Sequence, residues 1–244
     1  MPNFFSKIKK IFLDALFPIK CLNCQKEGSY LCSDCFSLIE MNNKQYCPFC
    51  TPAKIVFDSK TCLGCRKKGK KLNGLFFAAP YQNFIIRKII YQYKYGSFSK
   101  SLAKTLSLII INHFKLIDQK PHFFKDKSNF IFMAVPLSKK KEKWRGFNQA
   151  KEIAKELSFY YKIPLIDKVL VKTKDTVSQT ELSSKEREEN VKNAFRCLNG
   201  NTIKDKKIIL VDDVFTTGST MEECAKRLKE NGAKEVWGIV VARE

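Results

Sequence analysis

The stretch that most constrains the fold is Ile208–Thr220, which reads IILVDDVFTTGST. Its apolar residues Ile208–Val211 predict a strand buried on both faces of a parallel sheet. Two adjacent acids, Asp212 and Asp213, follow that strand, and a turn rich in glycine and hydroxyl groups comes next. Backbone N–H groups at a helix start favour an anion, because they are unpaired and the helix dipole points at them. The pattern therefore predicts a turn that binds the phosphate of a sugar and acids that contact the sugar hydroxyls.

An ordinary connection between a strand and a helix is the alternative for this stretch. Two consecutive buried acids without partners would be costly in such a connection, so the binding function is favoured. The segment VDDVFTTGST resembles the motif that binds phosphoribosyl pyrophosphate (PRPP) in type I phosphoribosyltransferases. The resemblance implies a PRPP site at this end of the predicted strand.

Ten cysteines are the second constraint, and eight of them form Cys-x-x-Cys pairs. The pairs are Cys21/Cys24, Cys32/Cys35, Cys47/Cys50 and Cys62/Cys65. Two such pairs complete a tetrahedral four-sulfur site, so the segment predicts one or two structural zinc ions. We expect sequential sites within 21–35 and 47–65, while a crossed pairing, an iron–sulfur cluster and redox chemistry stay open as alternatives. A module this short has a small core, so metal is expected to supply folding free energy.

The length of 244 residues suits one α/β domain with a small appended module. We predict an amphipathic helix within 1–20, a cysteine-rich module resembling a zinc ribbon at 21–71 and an α/β domain at 72–244. The formal net charge of +21 favours nucleic acid, phosphorylated metabolites or anionic lipid as partners, although a lysine-rich genome would produce a similar composition. Without a secretory leader or a run of ~20 apolar residues, we expect a cytoplasmic protein with no stable membrane insertion.

Strand and helix patterns alternate from residue 72 onward, which predicts a parallel sheet with helices on both faces. The predicted strands are 75–81, 130–135, 168–172, 206–213 and 235–242. The predicted helices are 84–95, 99–114, 148–161 and 218–231. The polar connection at 172–195 is long for a compact domain, so it is expected to be a lid with a helical turn near 186–191.

The order of these features resembles the ComF family, whose members are phosphoribosyltransferase homologues linked to DNA uptake in naturally transformable bacteria. RGFNQA (145–150) and SQTELSSKEREENVKNAF (178–195) carry the resemblance together with VDDVFTTGST, and it extends over essentially the whole chain. It implies a type I phosphoribosyltransferase-like parallel sheet flanked by helices, preceded by the zinc module. It also implies PRPP binding with magnesium and a function in natural transformation, in which the protein handles incoming single-stranded DNA.

Two other functions are compatible with the resemblance. One is an active phosphoribosyltransferase acting on an unidentified small acceptor, and the other is an adaptor whose zinc module docks a competence helicase. Enzymatic activity is left open, because the sequence indicates neither a nucleophile nor an acceptor site.

The second half of the chain is also similar to amidophosphoribosyltransferase. Glutamine amidotransfer is not expected, because the chain starts Met1-Pro2-Asn3 and lacks that enzyme's N-terminal nucleophilic cysteine.

The resemblance implies a role for each part of the site. Asp212, Asp213 and Arg145 are the expected catalytic residues, with the two acids contacting the ribose hydroxyls directly or through magnesium. The 5-phosphate is expected to bind Thr216, Thr217, Gly218, Ser219 and Thr220. The pyrophosphate is expected to bind Pro136, Leu137, Ser138 and Lys139, with the lid contributing Gln179, Thr180 and Arg187.

Overall fold

The computed structural model describes residues 18–96, 99–117, 127–175 and 184–244. Most of the amphipathic helix expected within 1–20 lies outside these residues, as do Gln179 and Thr180 of the expected lid. The described strands are β1 (Gly74–Pro80), β2 (Phe130–Ala134), β3 (Leu170–Lys172), β4 (Phe195–Cys197), β5 (Lys207–Phe215) and β6 (Glu235–Arg243). The described helices are α1 (Ser33–Ser37), α2 (Leu63–Lys67), α3 (Phe84–Tyr95), α4 (Leu102–Leu116), α5 (Lys139–Arg145), α6 (Gln149–Tyr161), α7 (Ser184–Val191) and α8 (Ser219–Glu230).

A parallel sheet in the order β1–β6–β5–β2 forms the centre of the larger region. The apolar run Ile208–Val211 lies in β5, and its side chains are fully buried, which confirms a strand covered on both faces. Successive residues of β5 point to opposite faces: Ile209 and Val211 join one apolar cluster, whereas Ile208 and Leu210 join the other. Helices α3, α4 and α6 cover the first face, and α8 covers the second. The predicted parallel sheet with helices on both faces is therefore confirmed.

Several elements differ from the sequence predictions. The predicted strand at 168–172 does not join the parallel sheet, because β3 pairs with β4 in an antiparallel sheet of their own. Both strands have only three residues, and they pack over the α8 side of the core. The helix expected from Ser99 begins at Leu102, since 99–101 form a 3-10 turn and the Ser101 hydroxyl makes no capping hydrogen bond.

Helix α5 was not predicted, because its segment KKKEKWR has no apolar stripe. Ser138 precedes it and its hydroxyl accepts a hydrogen bond from the backbone N–H of Lys141 at 3.4 Å. The expected pyrophosphate loop is therefore short, and Lys139 belongs to the first turn of a helix. Strand β5 also extends two residues beyond its predicted end at Asp213, and Phe215 ends it.

The cysteine module packs directly against the sheet region. The backbone N–H of Asn42 donates to the carbonyl of Ala78 in β1 at 2.8 Å, and the ring of Tyr46 lies 6.2 Å from that of Phe77. Glu222 of α8 accepts hydrogen bonds from the backbone N–H groups of Lys71 and Leu72, at 2.7 and 3.0 Å. These contacts bind the end of the module to the helix that begins beside the acids of β5. Across the described ranges, no helix combines the length and the apolar character needed to cross a membrane.

Candidate functional site

A cavity of about 310 Å³ opens at the carboxyl ends of β2 and β5. Open α/β sheets bind ligands at this edge, because strand ends and helix starts meet there. The cavity collects residues from every part of the predicted site that the structure describes. They are Asp212, Asp213, Thr216, Gly218, Ser219, Thr220, Pro136, Leu137, Arg145 and Arg187.

The turn after β5 depends on Gly218. This residue has a φ of +79°, and a Cβ added to it would lie only 2.2 Å from Cζ of Phe215. Glycine adopts that backbone conformation without strain, and its missing side chain lets the turn close over the Phe215 ring. Thr217 does not line the cavity, but its hydroxyl lies 2.9 Å from that of Ser219. Gly218 provides no side-chain cap to α8, and a helix start of this kind favours an anion beside its N–H groups.

Two carboxylates form the floor of the cavity beside this turn. The Asp212 carboxylate accepts a hydrogen bond from the backbone N–H of Asp213 at 2.9 Å. Asp213 is buried and pairs with Lys94 of α3, whose Nζ lies 3.0 Å from Oδ1. Burial and then the charge of Asp213 raise the pKa of Asp212 to about 7, against the opposing effects of Lys94 and Arg145. The pair can accept hydrogen bonds from neighbouring hydroxyls, and Lys94 holds Asp213 in place.

We expect Asp212→Asn to stabilise the protein above neutral pH. The pKa of Asp212 is raised in the folded state, so the folded protein favours the neutral carboxyl. The contribution of this carboxyl to the free energy of unfolding is complete below about pH 4 and is lost as pH rises to about 7. Across this interval the free energy of unfolding of the variant should rise relative to wild type by on the order of 2–4 kcal/mol, and its thermal midpoint should rise with it. Thermal unfolding between pH 4 and pH 8 measures it, with the exposed Asp205→Asn as the control. Parallel pH curves for Asp212→Asn and wild type would contradict a raised pKa of Asp212 in the folded protein.

Cationic side chains surround the acids. They are Lys94, Lys141, Arg145, Lys172 and Arg187. Burial and then the neighbouring Arg145 lower the pKa of Lys141, and burial followed by Lys141 lowers the pKa of Lys172. The like charges are thus held close together at some electrostatic cost. A ligand with several phosphate charges would relieve that cost, so the wall favours a polyanion.

The RGFNQA segment positions two polar groups at the cavity. Asn148 caps α6 by accepting from the N–H of Lys151 at 3.3 Å, and its amide donates to the carbonyl of Val135 at 3.0 Å. The guanidinium of Arg145 donates to Oε1 of Gln149 at 3.1 Å. In the described part of the chain, Arg145 Nε and Gln149 Nε2 are buried without a hydrogen-bond partner. Unpaired buried donors are costly, and here they lie beside a cavity where an anion or a carbonyl would pair with them.

Other residues occupy positions different from those expected. Ser138 is buried and caps α5, and Lys139 is exposed outside the cavity. Lys141 takes the position expected for Lys139, because the turn of helix α5 directs it inward. Gln179 lies outside the described residues. Arg187 of α7 lines the cavity and lies 3.8 Å from Oε2 of Glu244.

Sequence reasoning missed Lys94, Tyr95 and Lys172. Lys94 and Tyr95 end a helix that the pattern assigned only to packing, and Lys172 ends the short strand β3. All three reach the cavity through tertiary contacts, so no local pattern marks them.

The eight paired cysteines form two clusters in the described chain. The first cluster consists of Cys21, Cys24, Cys32 and Cys35, and the second consists of Cys47, Cys50, Cys62 and Cys65. Within each cluster the sulfurs lie within 4.8 Å of one another. This is the sequential pairing, and neither cluster mixes the two halves of the module. Four thiols in each group favour a metal over a redox pair, which needs only two.

The spacing of the sulfurs fits zinc. Tetrahedral zinc with Zn–S bonds of ~2.3 Å holds its sulfurs about 3.8 Å apart. The distances from Cys50 Sγ to Cys62 Sγ and Cys65 Sγ are 3.6 and 3.7 Å, and Cys24 Sγ lies 3.5 Å from Cys32 Sγ. A backbone hydrogen bond from Cys65 lowers the pKa of Cys62 to about 6, whereas burial raises the pKa of Cys50 and Cys65. A metal ion that binds this cluster would therefore release protons from those two thiols. Each cluster can hold one zinc ion.

Comparison with known proteins gives a consistent relationship. Residues 143–244 match the phosphoribosyl transferase domain family. Competence protein F of Haemophilus influenzae is 29% identical over 238 residues, which cover 93% of this chain and 98% of that protein. Competence protein ComFC of Streptococcus pneumoniae is 31% identical over 216 residues, 87% of each chain. DNA utilization protein YhgH of Escherichia coli K12 is 29% identical over 210 residues, 85% of this chain and 88% of that protein. The similarity thus includes both the cysteine module and the α/β region.

Proposed function

The chain belongs to the ComF family, and we propose that it binds PRPP in the cavity at the end of β5 and acts in DNA uptake. One arrangement carries the PRPP proposal. A glycine turn at a helix start, two carboxylates and several cations line the same cavity. These groups match, in turn, a phosphate, a set of sugar hydroxyls and a diphosphate, which are the parts of PRPP.

The proposed binding mode follows the order of these groups. The turn at 216–220 takes the 5-phosphate through N–H groups and hydroxyls. Asp212 and Asp213 accept hydrogen bonds from the ribose hydroxyls. Arg145 and Lys141 line the same cavity as Pro136 and Leu137 and contact the diphosphate.

Magnesium fits this site as part of the ligand. Its oxygen ligands would come from the diphosphate, the ribose and water, with Asp212 available beside them. Asp213 is already paired with Lys94, so the protein offers few free carboxylates of its own in the described cavity. Bound in this way, magnesium would neutralise phosphate charge.

Transfer of the phosphoribosyl group is a second candidate function, favoured by the unpaired donors of Arg145 and Gln149 beside the cavity. When pyrophosphate departs, negative charge grows on the leaving oxygens and positive charge on the sugar. Arg145 and Lys141 would stabilise the leaving anion, and the carboxylates would stabilise the sugar. The acceptor is not identified by any described group, so binding stands ahead of catalysis.

A function in DNA uptake rests on the family and on charge. Two of the relatives are named for competence and the third for DNA utilization, which supports this function. The net charge of +21 suits a partner with a phosphate backbone. We therefore propose that the protein handles incoming single-stranded DNA on the cytoplasmic side of the membrane, with PRPP as its small ligand.

The double variant Asp212→Asn/Asp213→Asn is expected to lose PRPP binding by at least about 100-fold. Neutral amides present N–H groups where the sugar hydroxyls need acceptors, and Lys94 is left without its anion. Isothermal calorimetry with PRPP and Mg²⁺ measures the change. Asp205→Asn is the matched control, because its carboxylate is exposed and outside the cavity. Absence of PRPP binding in the wild type would remove the central proposal.

A further inference from the structure

Helix α3 has an exposed row of aromatic side chains opposite its buried face. Ile85, Ile86, Ile89, Ile90 and Tyr93 form the buried stripe. Phe84, Tyr91 and Tyr95 lie on the exposed side, where a surface helix normally has polar residues. Tyr91 is 60% exposed and Tyr95 is 52% exposed, and Trp144 of α5, next to them, is 70% exposed. Exposed aromatic residues gathered in one place indicate a binding surface more strongly than the same residues scattered singly.

The rings form a continuous surface. Tyr91 and Tyr95 have ring centroids 5.1 Å apart, and Tyr95 and Trp144 have centroids 6.0 Å apart. The guanidinium carbon of Arg145 lies 5.7 Å from the Tyr95 ring, and both residues also line the cavity. We call Tyr91, Tyr95 and Trp144 the aromatic platform. It therefore extends from the exposed surface to the mouth of the proposed PRPP site.

Cationic residues flank the platform. On α3, Lys88 lies one turn from Tyr91, and its Nζ is 5.7 Å from the Phe84 ring. On α5, Lys140 and Lys143 are exposed beside Trp144, together with a single acid, Glu142. A row of rings between cations has the chemistry of a surface that stacks bases and contacts a phosphate backbone.

We propose that the aromatic platform stacks the bases of single-stranded nucleic acid while the flanking lysines contact its phosphates. This inference rests on the proposed function and deepens it by assigning the strand to one surface. Single strands are favoured over duplexes, because only unpaired bases offer free faces to a ring. The surrounding lysines favour a polyanion over an apolar protein segment as the occupant.

Binding of the full-length protein to a labelled oligothymidylate of about 12 nucleotides tests the proposal, measured by fluorescence anisotropy. Each of Tyr91→Ala and Trp144→Ala is expected to weaken binding about tenfold, since one stacked ring is lost. Phe159→Ala is the matched control: it removes an aromatic ring that is 87% exposed on α6, and binding should be unchanged. PRPP binding should be unchanged in all three variants, because none of these residues lines the cavity.

Tryptophan fluorescence gives an independent readout. The chain has two tryptophans, and Trp237 is only 2% exposed, so a stacked base should quench Trp144 selectively. Trp144→Phe should abolish the quenching while retaining most of the affinity, because phenylalanine still presents a ring. A strand of abasic sites should bind the wild type and Trp144→Ala equally, since it has phosphates and no bases. Uridine and thymidine oligomers, compared in parallel, distinguish RNA from DNA as the strand.

The outcomes separate the platform from the function on which it rests. If the wild type binds the strand, the alanine variants bind it equally well and Trp144 is not quenched, the strand binds elsewhere than on the aromatic platform. The proposed function in handling DNA is then retained. If the wild type binds no single strand at low salt, both DNA handling and the platform fail, whatever the result with PRPP. If the abasic strand loses affinity with Trp144→Ala as the thymidylate does, the tryptophan acts through folding or charge, and base stacking is excluded.

Discussion

Gly218→Ala is expected to abolish PRPP binding, with a loss of at least about 100-fold, while the protein remains folded. The new Cβ would meet the Phe215 ring at 2.2 Å, and alanine is strained at a φ of +79°. The turn can relieve the clash only by moving, which displaces the N–H groups that are proposed to bind the 5-phosphate. Isothermal calorimetry with PRPP and Mg²⁺ measures the loss, and circular dichroism verifies the fold.

Gly232→Ala is the matched control for this prediction. Gly232 follows the opposite end of α8, has a φ of +91° and has room for a Cβ, with its nearest neighbour at 3.5 Å. It should cost about 1 kcal/mol of stability through strain and leave PRPP affinity intact. If Gly218→Ala bound PRPP as tightly as Gly232→Ala, the turn would not be the phosphate site.

Cys47→Ser is expected to remove one of two zinc ions per chain and to weaken PRPP binding about tenfold or more. Cys47 is fully buried in the second cluster, and structural zinc supplies several kcal/mol of folding free energy. The ring of Phe49 lies 6.3 Å from that of Phe215, which supports the turn, and the Pro48 carbonyl accepts from Arg243 at 3.4 Å. Loss of this cluster should therefore disturb the cavity as well as the module.

Elemental analysis gives the zinc content, and calorimetry gives the PRPP affinity. Cys24→Ser is the control, because it makes the same change at an exposed member of the first cluster, whose buried cysteines pack in the apolar cluster on the other face of the sheet from Phe215. It should also remove one zinc ion and should leave PRPP affinity near that of the wild type. A wild-type zinc content of zero, or equal weakening of PRPP binding by both variants, would contradict the prediction.

The parts of the fold that follow from local pattern were predictable. The run Ile208–Val211 indicated a strand covered on both sides, and Gly218 in the turn after the acids indicated a helix start. The spacing of the cysteine pairs favoured metal sites over redox chemistry, since two such pairs can supply four thiolates to one ion. The structure adds the sequential pairing, which spacing alone does not determine.

The remaining parts depend on contacts between distant segments. Lys94 reaches Asp213 because α3 packs across the sheet, and nothing within α3 distinguishes this lysine from an exposed one. The antiparallel pairing of β3 with β4 joins two three-residue segments on either side of α7, both too short to show a period. Helix α5 forms on the capping of Ser138 rather than on an apolar stripe, so a pattern based on burial misses it.

The bond between Glu222 and the end of the cysteine module has a practical consequence. Its carboxylate accepts hydrogen bonds from the N–H groups of Lys71 and Leu72. Helix α8 therefore anchors the chain that enters β1, and the same helix begins at the turn 216–220. A fragment that starts at Leu72 would lose one of these donors and would expose Phe77 and Phe215 to water where Tyr46 and Phe49 now cover them. Leu72, the predicted start of the α/β domain, is thus a poor place to divide this protein. Truncation there removes Phe49, whose ring packs near Phe215 at the start of the turn 216–220.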